Sequence, residues 1–348
     1  MEGRKFRFGL VGAGVIGPFH AEAIRDIPEA ELTVVADTVP ERARKLAEQF
    51  GCDWTDDWRS LLEREDVDIV DICTPSGLHG EIAVPALEAG KHVVVEKPLE
   101  ITLEKCDKII EAARRNDRKV CVIFQSRFRP AYQKVKRAIE EGKFGRLVFG
   151  AAYVEWYRSQ EYYDSGDWRG TWALDGGGAL MNQSIHYVDL LQWMMGPVDT
   201  VFAFCETLAH VRIEVEDVAV AALKFKSGAL GYIFGTTAMY PGLSAGIKVV
   251  GENGTAVVDD GEIVVWAFKG EEEEVKKPSE EKVAVGAASA TAGMTSEWHR
   301  RQLEDFILAL KEGREPMVNA EEGRKSVEII LAIYESARRG EPVKLPLK

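Results

Sequence analysis

Short apolar runs alternate with amphipathic stretches through the first 125 or so residues of the chain. Five of these runs are predicted to be buried strands: FRFGLVG, ELTVVAD, VDIVDICT, KHVVVEK and VCVIFQS. Helical patterns lie between them, as at residues 39–50 and 81–89, and each of these two ends at a glycine, where a left-handed helix end is expected. Strands that alternate with helices are typical of βαβ units, so the pattern predicts an α/β domain with a doubly wound parallel sheet.

The pattern changes after a helix predicted over residues 130–141. Longer strands follow in RLVFGAAYVEWY, DTVFAFCETL, DVAVAALKFKSGALGYIFGTT, AGIKVVGENGTAVVDD and EIVVWAFK. The turns KSGA and GENG within them are typical of hairpins. This half is therefore predicted to be an α+β domain with a large, mostly antiparallel sheet that carries helices on one face.

The C-terminal part of the sequence is predicted to end in two helices, over residues 296–311 and 320–338. They follow a segment, residues 271–293, that is first charged and then rich in small residues, and we expect this segment to be a solvated excursion. A chain of 348 residues is longer than one core usually supports. We therefore expect two domains, residues 1–125 and 126–348.

Composition and charge narrow the classes of function. The formal charge of −13 repels phosphate backbones, and no basic patch is evident, so nucleic-acid binding is not expected. No apolar run approaches the 18 to 20 or so residues that cross a bilayer, and no signal peptide is evident, so a cytoplasmic protein without membrane contact is expected. The five cysteines are widely spaced and predict free thiols.

The stretch GLVGAGVIGPFH has the spacing of a dinucleotide-binding turn between a strand and a helix. The predicted cofactor contacts in this turn are Gly12, Gly14, Val15, Ile16 and Gly17. Asp37 ends the second strand, where a carboxylate can accept hydrogen bonds from an adenosine ribose and repels a 2′-phosphate, so NAD is favoured over NADP. Two alternatives remain: the glycines pack the helix on the strand, or Asp37 caps the helix that begins at Pro40.

Two neighbouring strands end in polar residues. KHVVVEKP presents Glu96 and Lys97, and CTPSGLH presents Thr74, Pro75 and His79. Ligands of open parallel sheets lie at the carboxyl ends of the strands, so we assign all five residues to the cofactor site. The alternative for Glu96 and Lys97 is a solvated ion pair at an exposed strand end.

The stretch GGGALMNQSIHYVD places polar residues on an otherwise apolar helix. At about 100° per residue, Asn182, His186 and Asp189 share one face. We expect this face to be turned to the cofactor and substrate, and the glycines to remove bulk where these groups crowd together. The alternative is a hydrogen-bonded core histidine, a packed Asn182 and an Asp189 that pairs with a cation.

The chain as a whole resembles the Gfo/Idh/MocA oxidoreductases, on the glycine turn, TPSGLH, EKP, GGGALMNQSIHYVD and HRRQLEDFILAL. The resemblance implies NAD(P)-dependent chemistry on sugars, inositols or nucleotide sugars. It also implies that Lys97 lies beside the nicotinamide and the substrate, that Glu96 contacts the nicotinamide ribose, and that Asn182 and His186 bind substrate and transfer protons.

Two positions depart from the family pattern, Asn182 and Ser184, of which Ser184 replaces a common glycine. The family carries an aspartate where this chain has Asn182, and an amide cannot hold a cationic lysine by charge. Oxidation of a secondary alcohol needs a base, and a lysine must lose roughly three pKa units to act as one near neutrality. An amide in place of a carboxylate favours the neutral amine, so we predict that Lys97 or His186 accepts the proton while Asn182 orients the sugar.

Loop residues supply further candidates. SRFRP and YDSGDWRGTW contribute Arg127, which we assign to the cofactor site, and Trp168 and Arg169, which we assign with Tyr157 to the substrate. Aromatic faces stack on sugars, and guanidinium groups bind hydroxyl, carboxylate or phosphate groups. Surface anchoring of the loop is the alternative. No metal site is expected, because His186 and Asp189 have no evident third ligand.

The leading prediction is an NAD-dependent dehydrogenase or reductase that acts on a carbohydrate-like small molecule. An alternative on the same scaffold is a glycosidase that oxidises its sugar transiently and eliminates the aglycone. A third hypothesis is a redox-sensing binding protein in which Lys97 and His186 have no catalytic role. The long strands of the second domain offer a face for association, so a homodimer or homotetramer is expected.

Overall fold

The computed structural model describes residues 5–271, 274–275 and 295–347. Its residues form two compact units. Residues 5–125 and 295–324 make up the first unit, and the remaining described residues make up the second. The sequence-based division differs in one respect, because it placed residues 295–324 in the second domain.

The first unit contains a parallel six-stranded sheet in the order β3-β2-β1-β4-β5-β6. This is the doubly wound order of a Rossmann domain, as predicted. Its strands are β1 (Phe6–Val11), β2 (Ala30–Ala36), β3 (Asp53–Thr55), β4 (Ile69–Ile72), β5 (His92–Val95) and β6 (Val120–Val122). Its helices are α1 (Gly17–Arg25), α2 (Pro40–Phe50), α3 (Ser60–Glu63), α4 (His79–Glu88) and α5 (Leu103–Arg115).

The five predicted strands are all present, and β3 is the strand that the pattern missed. It has only three residues at the sheet edge and is not buried, so it leaves no apolar run. The glycines expected at helix ends are also confirmed, because Gly51 and Gly90 have φ angles of 70° and 78°.

Residues 295–324 belong to the first unit because they complete its core and its sheet edge. Helix α9 (Glu297–Glu312) places Leu303, Phe306 and Ile307 in the core cluster that also holds residues of α1 and β1. The side chain of Gln302 donates to the Val122 carbonyl (2.7 Å) and accepts from the Phe124 N–H (3.0 Å). This glutamine therefore satisfies main-chain groups at the outer edge of β6.

The second unit contains, within its described residues, a nine-stranded sheet in the order β14-β13-β12-β11-β7-β10-β9-β8-β15. Its strands are β7 (Leu147–Glu155), β8 (Val198–Glu206), β9 (Val218–Phe225), β10 (Leu230–Thr236), β11 (Ala245–Gly251), β12 (Gly254–Asp259), β13 (Glu262–Phe268), β14 (Glu274–Val275) and β15 (Val343–Lys344). Only β7 and β10 pair in parallel, so the predicted mostly antiparallel sheet is confirmed.

Helix α8 (Ile185–Met195) packs on β7 and β11 of this second sheet, and α6 (Pro130–Glu140) contacts α8. The unit also contains α7 (Gln160–Asp164) and most of α10 (Ala320–Arg339), which begins in the first unit. A Cβ on Gly150 of β7 would lie 2.5 Å from Met195 Cγ, so this glycine lets α8 approach the sheet. In β9, buried and exposed residues alternate along most of the strand, as expected for a sheet with one covered face.

Among the described residues, no helix combines the length and the apolar character needed to span a bilayer. The five cysteines are free, as predicted. Most of the predicted solvated excursion, residues 271–293, lies outside the described residues.

Candidate functional site

The glycine turn after β1 is closely packed at two of its glycines and open at the third. A Cβ on Gly12, which has a φ of 105°, would lie 2.6 Å from the Cys73 carbonyl oxygen, and one on Gly17 would lie 2.4 Å from the Gly12 carbonyl oxygen. These two glycines therefore permit the tight turn and the close packing of α1. Gly14 differs, because a Cβ there would meet no described atom within 4 Å. The chain thus leaves open space above the middle glycine.

The start of α1 suits a negatively charged group. No side chain of the described residues caps this nine-residue helix, Pro18 occupies its first turn, and Val15 just before it is 52% exposed. Uncapped N–H groups and the helix dipole favour a phosphate at this position. Thr74, at the end of β4, has a buried Oγ1 without a hydrogen-bond partner among the described residues. An open cradle and an orphaned hydroxyl are the features that a bound dinucleotide would satisfy, so the residues present fit NAD.

Asp37 is held in place by main-chain donors. Its Oδ2 accepts from the Ala13 N–H and its Oδ1 from the Val39 N–H, both at 2.8 Å. It does not cap α2, whose N-cap residue is Val39. Each carboxylate oxygen retains a second acceptor site for a ribose hydroxyl group. A fixed negative charge at this position is the physical basis for preferring NAD to NADP.

The residues that follow β5 are fixed by hydrogen bonds to the backbone. Oε2 of the buried Glu96 accepts from the main-chain N–H of Lys97 at 3.1 Å, and the Lys97–Pro98 peptide bond is cis. Lys97 itself is half-buried. His79 is buried and its ring nitrogens lie 2.8 Å from the Pro98 carbonyl and 3.0 Å from the Thr74 carbonyl. Its imidazole thus ties the ends of β4 and β5 together.

A buried ionic network that the sequence analysis missed lies behind Glu96. His20 of α1 contacts both oxygens of Asp71 through Nδ1 (3.0 and 2.8 Å) and Oε1 of Glu96 through Nε2 (3.0 Å). His299 of α9 lies 3.6 Å from the same Glu96 oxygen. Asp71 stands in a strand whose four residues are all buried, and this was the signal in the sequence that could have revealed the network.

The charges in this network determine the protonation states. Burial alone would lower the pKa of His20, but the negative charge of Asp71 raises it well above the usual value. Burial alone would raise the pKa of Glu96, but its hydrogen bond with His20 and the nearby imidazole of His299 hold it well below the usual value. His20 is therefore an imidazolium between two carboxylates, and it anchors the glutamate that precedes Lys97.

Two groups of side chains in this network have ligand-like spacing. They are His20 with Asp71 and Cys73, and His20 with Glu96 and His299. Both groups need His20, and an imidazolium that donates through both nitrogens offers no lone pair to a metal ion. The protonated network therefore accounts for these residues without a metal.

In the second unit, the helix predicted after the glycine run begins differently from the prediction. Residues Ala179–Ser184 are π-helical, and α-helical geometry begins at Ile185. The 100° periodicity therefore does not apply to Asn182. π-helical turns occur frequently at functional sites.

The glycine run lets other segments of the second unit approach closely. A Cβ on Gly178 would lie 1.9 Å from the Glu216 carbonyl oxygen, and one on Gly177 would lie 2.2 Å from Tyr334 Oη. The glycines therefore admit the protein's own segments. The Glu216 carboxylate accepts from the N–H groups of Gly178 (3.0 Å) and Leu180 (2.8 Å) and from the Tyr334 hydroxyl (2.9 Å). Glu216, which the sequence analysis also missed, thus caps the π-helical segment.

The Asn182 side chain is engaged by a carboxylate. Its Nδ2 donates to Oδ1 of the buried Asp175, and its Oδ1 accepts from Gln183 Nε2 at 2.7 Å. Asp175 therefore places a carboxyl group beside Asn182, a contact that was not predicted from the sequence.

His186 is half-buried in the first turn of α8, and Asp189 is fully buried one turn later. Asp189 accepts from Arg127 Nε (2.7 Å) and Nη2 (2.6 Å), a bidentate pair. This geometry agrees with the alternative considered from the sequence, in which Asp189 pairs with a cation. Arg127 is itself 1% exposed, so this pair is a buried element of the second unit.

The loop candidates divide into two groups. Arg169 donates to the Tyr162 hydroxyl (2.6 Å) and stacks on Trp168, with its Cζ 4.6 Å from the ring centroid. Tyr162 also accepts from Gln183 (3.0 Å), which connects Arg169 to Asn182. Tyr157 packs instead against Tyr240, at 5.2 Å between ring centroids. Arg158, which was not predicted from the sequence, also belongs to the hydrogen-bonded group of Arg169, Tyr162 and Gln183.

Family models match both halves of the chain. The GFO_IDH_MocA model, described as an oxidoreductase family with an NAD-binding Rossmann fold, matches residues 6–124. The GFO/IDH/MocA C-terminal domain model matches residues 132–257.

Named relatives agree with these models. The WlbA dehydrogenase from Bordetella pertussis, solved with NADH and UDP-GlcNAcA, is 38% identical, over 99% of this chain and 100% of that chain, with a TM-score of 0.88. Myo-inositol 2-dehydrogenase of Thermotoga maritima is 29% identical over 97% of this chain and 98% of its own length. Levoglucosan dehydrogenase of Pseudarthrobacter phenanthrenivorans is 32% identical over 66% of each protein. The chain therefore belongs to the Gfo/Idh/MocA family of NAD-binding oxidoreductases.

Proposed function

We propose that this NAD-dependent dehydrogenase acts on a secondary hydroxyl group, or the corresponding ketone, of a sugar, inositol, sugar acid or nucleotide sugar. The observation that carries the proposal is the cofactor cradle of the first unit, in which Asp37 is fixed, Gly14 is open and Thr74 has an unsatisfied hydroxyl. The relatives named above support the substrate class. The 38% identity to a dehydrogenase solved with UDP-GlcNAcA makes a nucleotide-linked sugar acid the first substrate to test.

The residues proposed to hold the cofactor are those of the glycine turn, Asp37 and the residues that end β4 and β5, whereas the buried pairing of Arg127 with Asp189 argues against the cofactor contact expected for Arg127. Bound NAD supplies the hydride acceptor or donor. Lys97 or His186 takes the proton of the substrate hydroxyl group. Lys97 starts from a backbone that Glu96 fixes through a 3.1 Å hydrogen bond, which limits the positions its amine can reach. Asn182 is proposed to orient the sugar, with Arg169, Trp168 and Tyr157 as further substrate contacts.

The glycosidase alternative is not favoured, because the relatives that match nearly the whole chain are named dehydrogenases. The two activities differ in net redox chemistry. A dehydrogenase accumulates NADH in proportion to the substrate consumed, whereas the glycosidase releases aglycone without net NADH formation.

The test is to incubate the protein with NAD or NADP and a panel of UDP-linked uronates, uronates, aldoses and inositols, following the absorbance of the reduced cofactor. We expect NADH formation with at least one member and a clear preference for NAD. Lys97→Ala should lower kcat by about 10²- to 10⁴-fold, the usual contribution of a positioned acid or base, while NAD still binds. Lys108→Ala, which removes an exposed lysine paired with Glu104, is the matched control and should leave kcat unchanged.

Variants of His186 decide between the two candidate bases. If Lys97 is the base, His186→Asn should retain the acidic limb of the kcat profile, where activity falls with pH as the base is protonated, and if His186 is the base that limb should disappear. Near-normal turnover of Lys97→Ala would refute the assignment of a catalytic role to the lysine. The absence of cofactor reduction across the whole panel, with NAD bound, would refute the proposed function.

A further inference from the structure

Arg158 is a buried cation in the loop that follows β7. It is 8% exposed, and its Cζ lies 5.4 Å from the ring centroids of both Trp156 and Tyr162. Its Nη1 donates to the Tyr157 carbonyl (3.3 Å) and its Nη2 to Gln183 Oε1 (3.0 Å). Its Nε is buried and has no hydrogen-bond partner among the described residues. Several of the five N–H donors of a guanidinium group therefore remain unused.

Among the described residues, this cation has no counterion. Within the part of the chain that the structure describes, no carboxylate pairs with Arg158, and burial together with the positive charge of Arg169 lowers its pKa. An uncompensated buried charge costs free energy. Arg127 shows the contrast, because this equally buried arginine is paired with Asp189 through two short hydrogen bonds. The unpaired state of Arg158 is thus a local feature and needs its own explanation.

A second guanidinium group lies on the same aromatic ring. The Cζ of Arg169 is 4.3 Å from the ring centroid of Tyr162, and its Nη1 donates to the Tyr162 hydroxyl at 2.6 Å. Gln183 joins the two arginines, because its Oε1 accepts from Arg158 and its Nε2 donates to Tyr162. The same Nε2 reaches Asn182, so the pair of cations is continuous with the proposed sugar-orienting amide.

We propose that Arg158 and Arg169, with Trp156, Tyr162 and Gln183, form a subsite for an anionic group of the substrate, a carboxylate or a phosphate. This inference rests on the proposed function, which it narrows to acidic or phosphorylated sugars. Guanidinium groups bind both anions through paired N–H donors, and aromatic faces beside them suit the C–H surface of a sugar. An anion at this subsite supplies the missing countercharge of Arg158.

The test is a binding measurement that does not depend on turnover. Titration calorimetry on the NAD-loaded protein measures the affinities of D-glucose, D-glucuronate, UDP-glucose and UDP-glucuronate. The two free sugars are compared with each other, the two UDP-sugars with each other, and each UDP-sugar with its free sugar. We expect the anionic member of at least one pair to bind at least about tenfold more tightly. A preference for D-glucuronate over D-glucose assigns the subsite to a carboxylate. A preference for UDP-glucose over D-glucose, with none for the uronates, assigns it to the diphosphate.

Substitutions then assign the preference to residues. Arg158→Gln should reduce the preference for the anion to about twofold or less, and Arg158→Lys should restore part of it because the charge is retained. Arg212→Gln is the matched control, since Arg212 is exposed in the same unit and paired with Asp164, and it should keep the full preference. Equal binding of anionic and neutral probes by the wild type, no binding of any probe, or an undiminished preference in Arg158→Gln would overturn the proposal.

Melting temperatures without sugar separate this role from a structural one. Arg158→Gln should melt no lower than the wild type, because it removes an uncompensated buried charge. A large fall in its melting temperature would instead assign Arg158 a structural role. NADH formation without a preference for anions would refute the subsite and leave the proposed function intact. A preference for anions without cofactor reduction would refute the proposed function and leave the subsite intact.

Discussion

Glu216 shows how one carboxyl group couples the stability of the second unit to pH. It is buried beneath the π-helical segment, and burial raises its pKa to about 7 despite its hydrogen bonds with Leu180, Tyr334 and Gly178. The ordinary value is 4.5. Between these two values the folded protein keeps a proton that the unfolded chain has lost. The free energy of unfolding must therefore fall as pH rises through this interval.

We expect this fall to be about 3 kcal/mol between pH 4.5 and 7, and to be absent in Glu216→Gln, which has no proton to lose. Glu216→Gln should be less stable than the wild type by an amount that does not itself titrate, because the NH2 of its amide group would face an N–H donor. The measurement is the free energy of unfolding from urea titrations at several pH values. Glu214→Gln changes an exposed neighbour in the same way and should keep the wild-type slope. An unchanged slope in Glu216→Gln would show that another group titrates.

At the scale of elements, His20 connects three parts of the first unit. It extends from α1 to Asp71 in β4 and to Glu96 at the end of β5, and α9 adds His299 alongside. The contribution of His20 to stability is complete below its unfolded pKa of about 6.5 and is lost as pH rises through its higher folded pKa. The contribution of Glu96 is complete above about pH 4.5 and is lost as pH falls through its lowered pKa.

Removing the imidazolium should be costly. His20→Gln leaves two buried carboxylates without their shared cation, and we expect a loss of about 3 to 5 kcal/mol in the free energy of unfolding near neutral pH. Lys108→Ala breaks an exposed pair and should cost less than about 1 kcal/mol. Chemical denaturation of the three proteins measures both values. A loss for His20→Gln as small as that of the control would mean that Asp71 and Glu96 are not both ionised in the fold.

The elements themselves were largely predictable, because their burial is regular. Fully buried strands such as β4 leave apolar runs, and strands with one covered face such as β9 leave alternation, so both sheets could be derived from the sequence. The exposed β3 and the π-helical start before α8 leave neither signature. The location of α9 in the first unit depends on which core its apolar face completes, and periodicity does not carry that information.

The site was predictable only where local chemistry acts within a motif. The glycine turn and Asp37 lie close together along the chain and have a fixed spacing, so their arrangement followed from the sequence. Glu216, Asp175 and Arg158 act through contacts between segments that are distant in sequence or irregular in structure. Without the fold, nothing distinguishes them from ordinary surface charges.

At the scale of the whole molecule, one face of the second sheet exposes large apolar side chains. Phe204 is 64% exposed and Phe202 is 36% exposed on β8, Val220 is 48% exposed on the neighbouring β9, and Leu230 is 57% exposed on β10, the next strand of the sheet. Phe204 lies opposite Val220 in the β8–β9 pairing. An apolar surface of this kind is typical of an association interface. It agrees with the homodimer or homotetramer expected from the sequence, which stays a prediction.

We expect Phe204→Glu to shift the protein towards monomers, because a charge at the interface would be desolvated without a partner. The measurement is the molar mass by light scattering after size-exclusion chromatography over a range of concentrations. Leu308→Glu changes a comparably apolar exposed residue on α9 and should leave the mass unchanged. A wild-type protein that is monomeric at all concentrations, or a Phe204→Glu variant with unaltered mass, would contradict this assignment.

The position of α9 in the first unit bears on protein engineering. The Gln302 side chain closes the edge of β6, and the Val318 carbonyl accepts from the Val122 N–H at 2.9 Å. A chimera that takes its coenzyme half from another family member by a single junction near residue 125 would pair a foreign edge strand with the host's glutamine. If a graft transfers residues 295–324 together with the N-terminal segment, the hydrogen-bond donors and acceptors at this edge come from the same protein. Recombination libraries should therefore take both fragments from one parent protein.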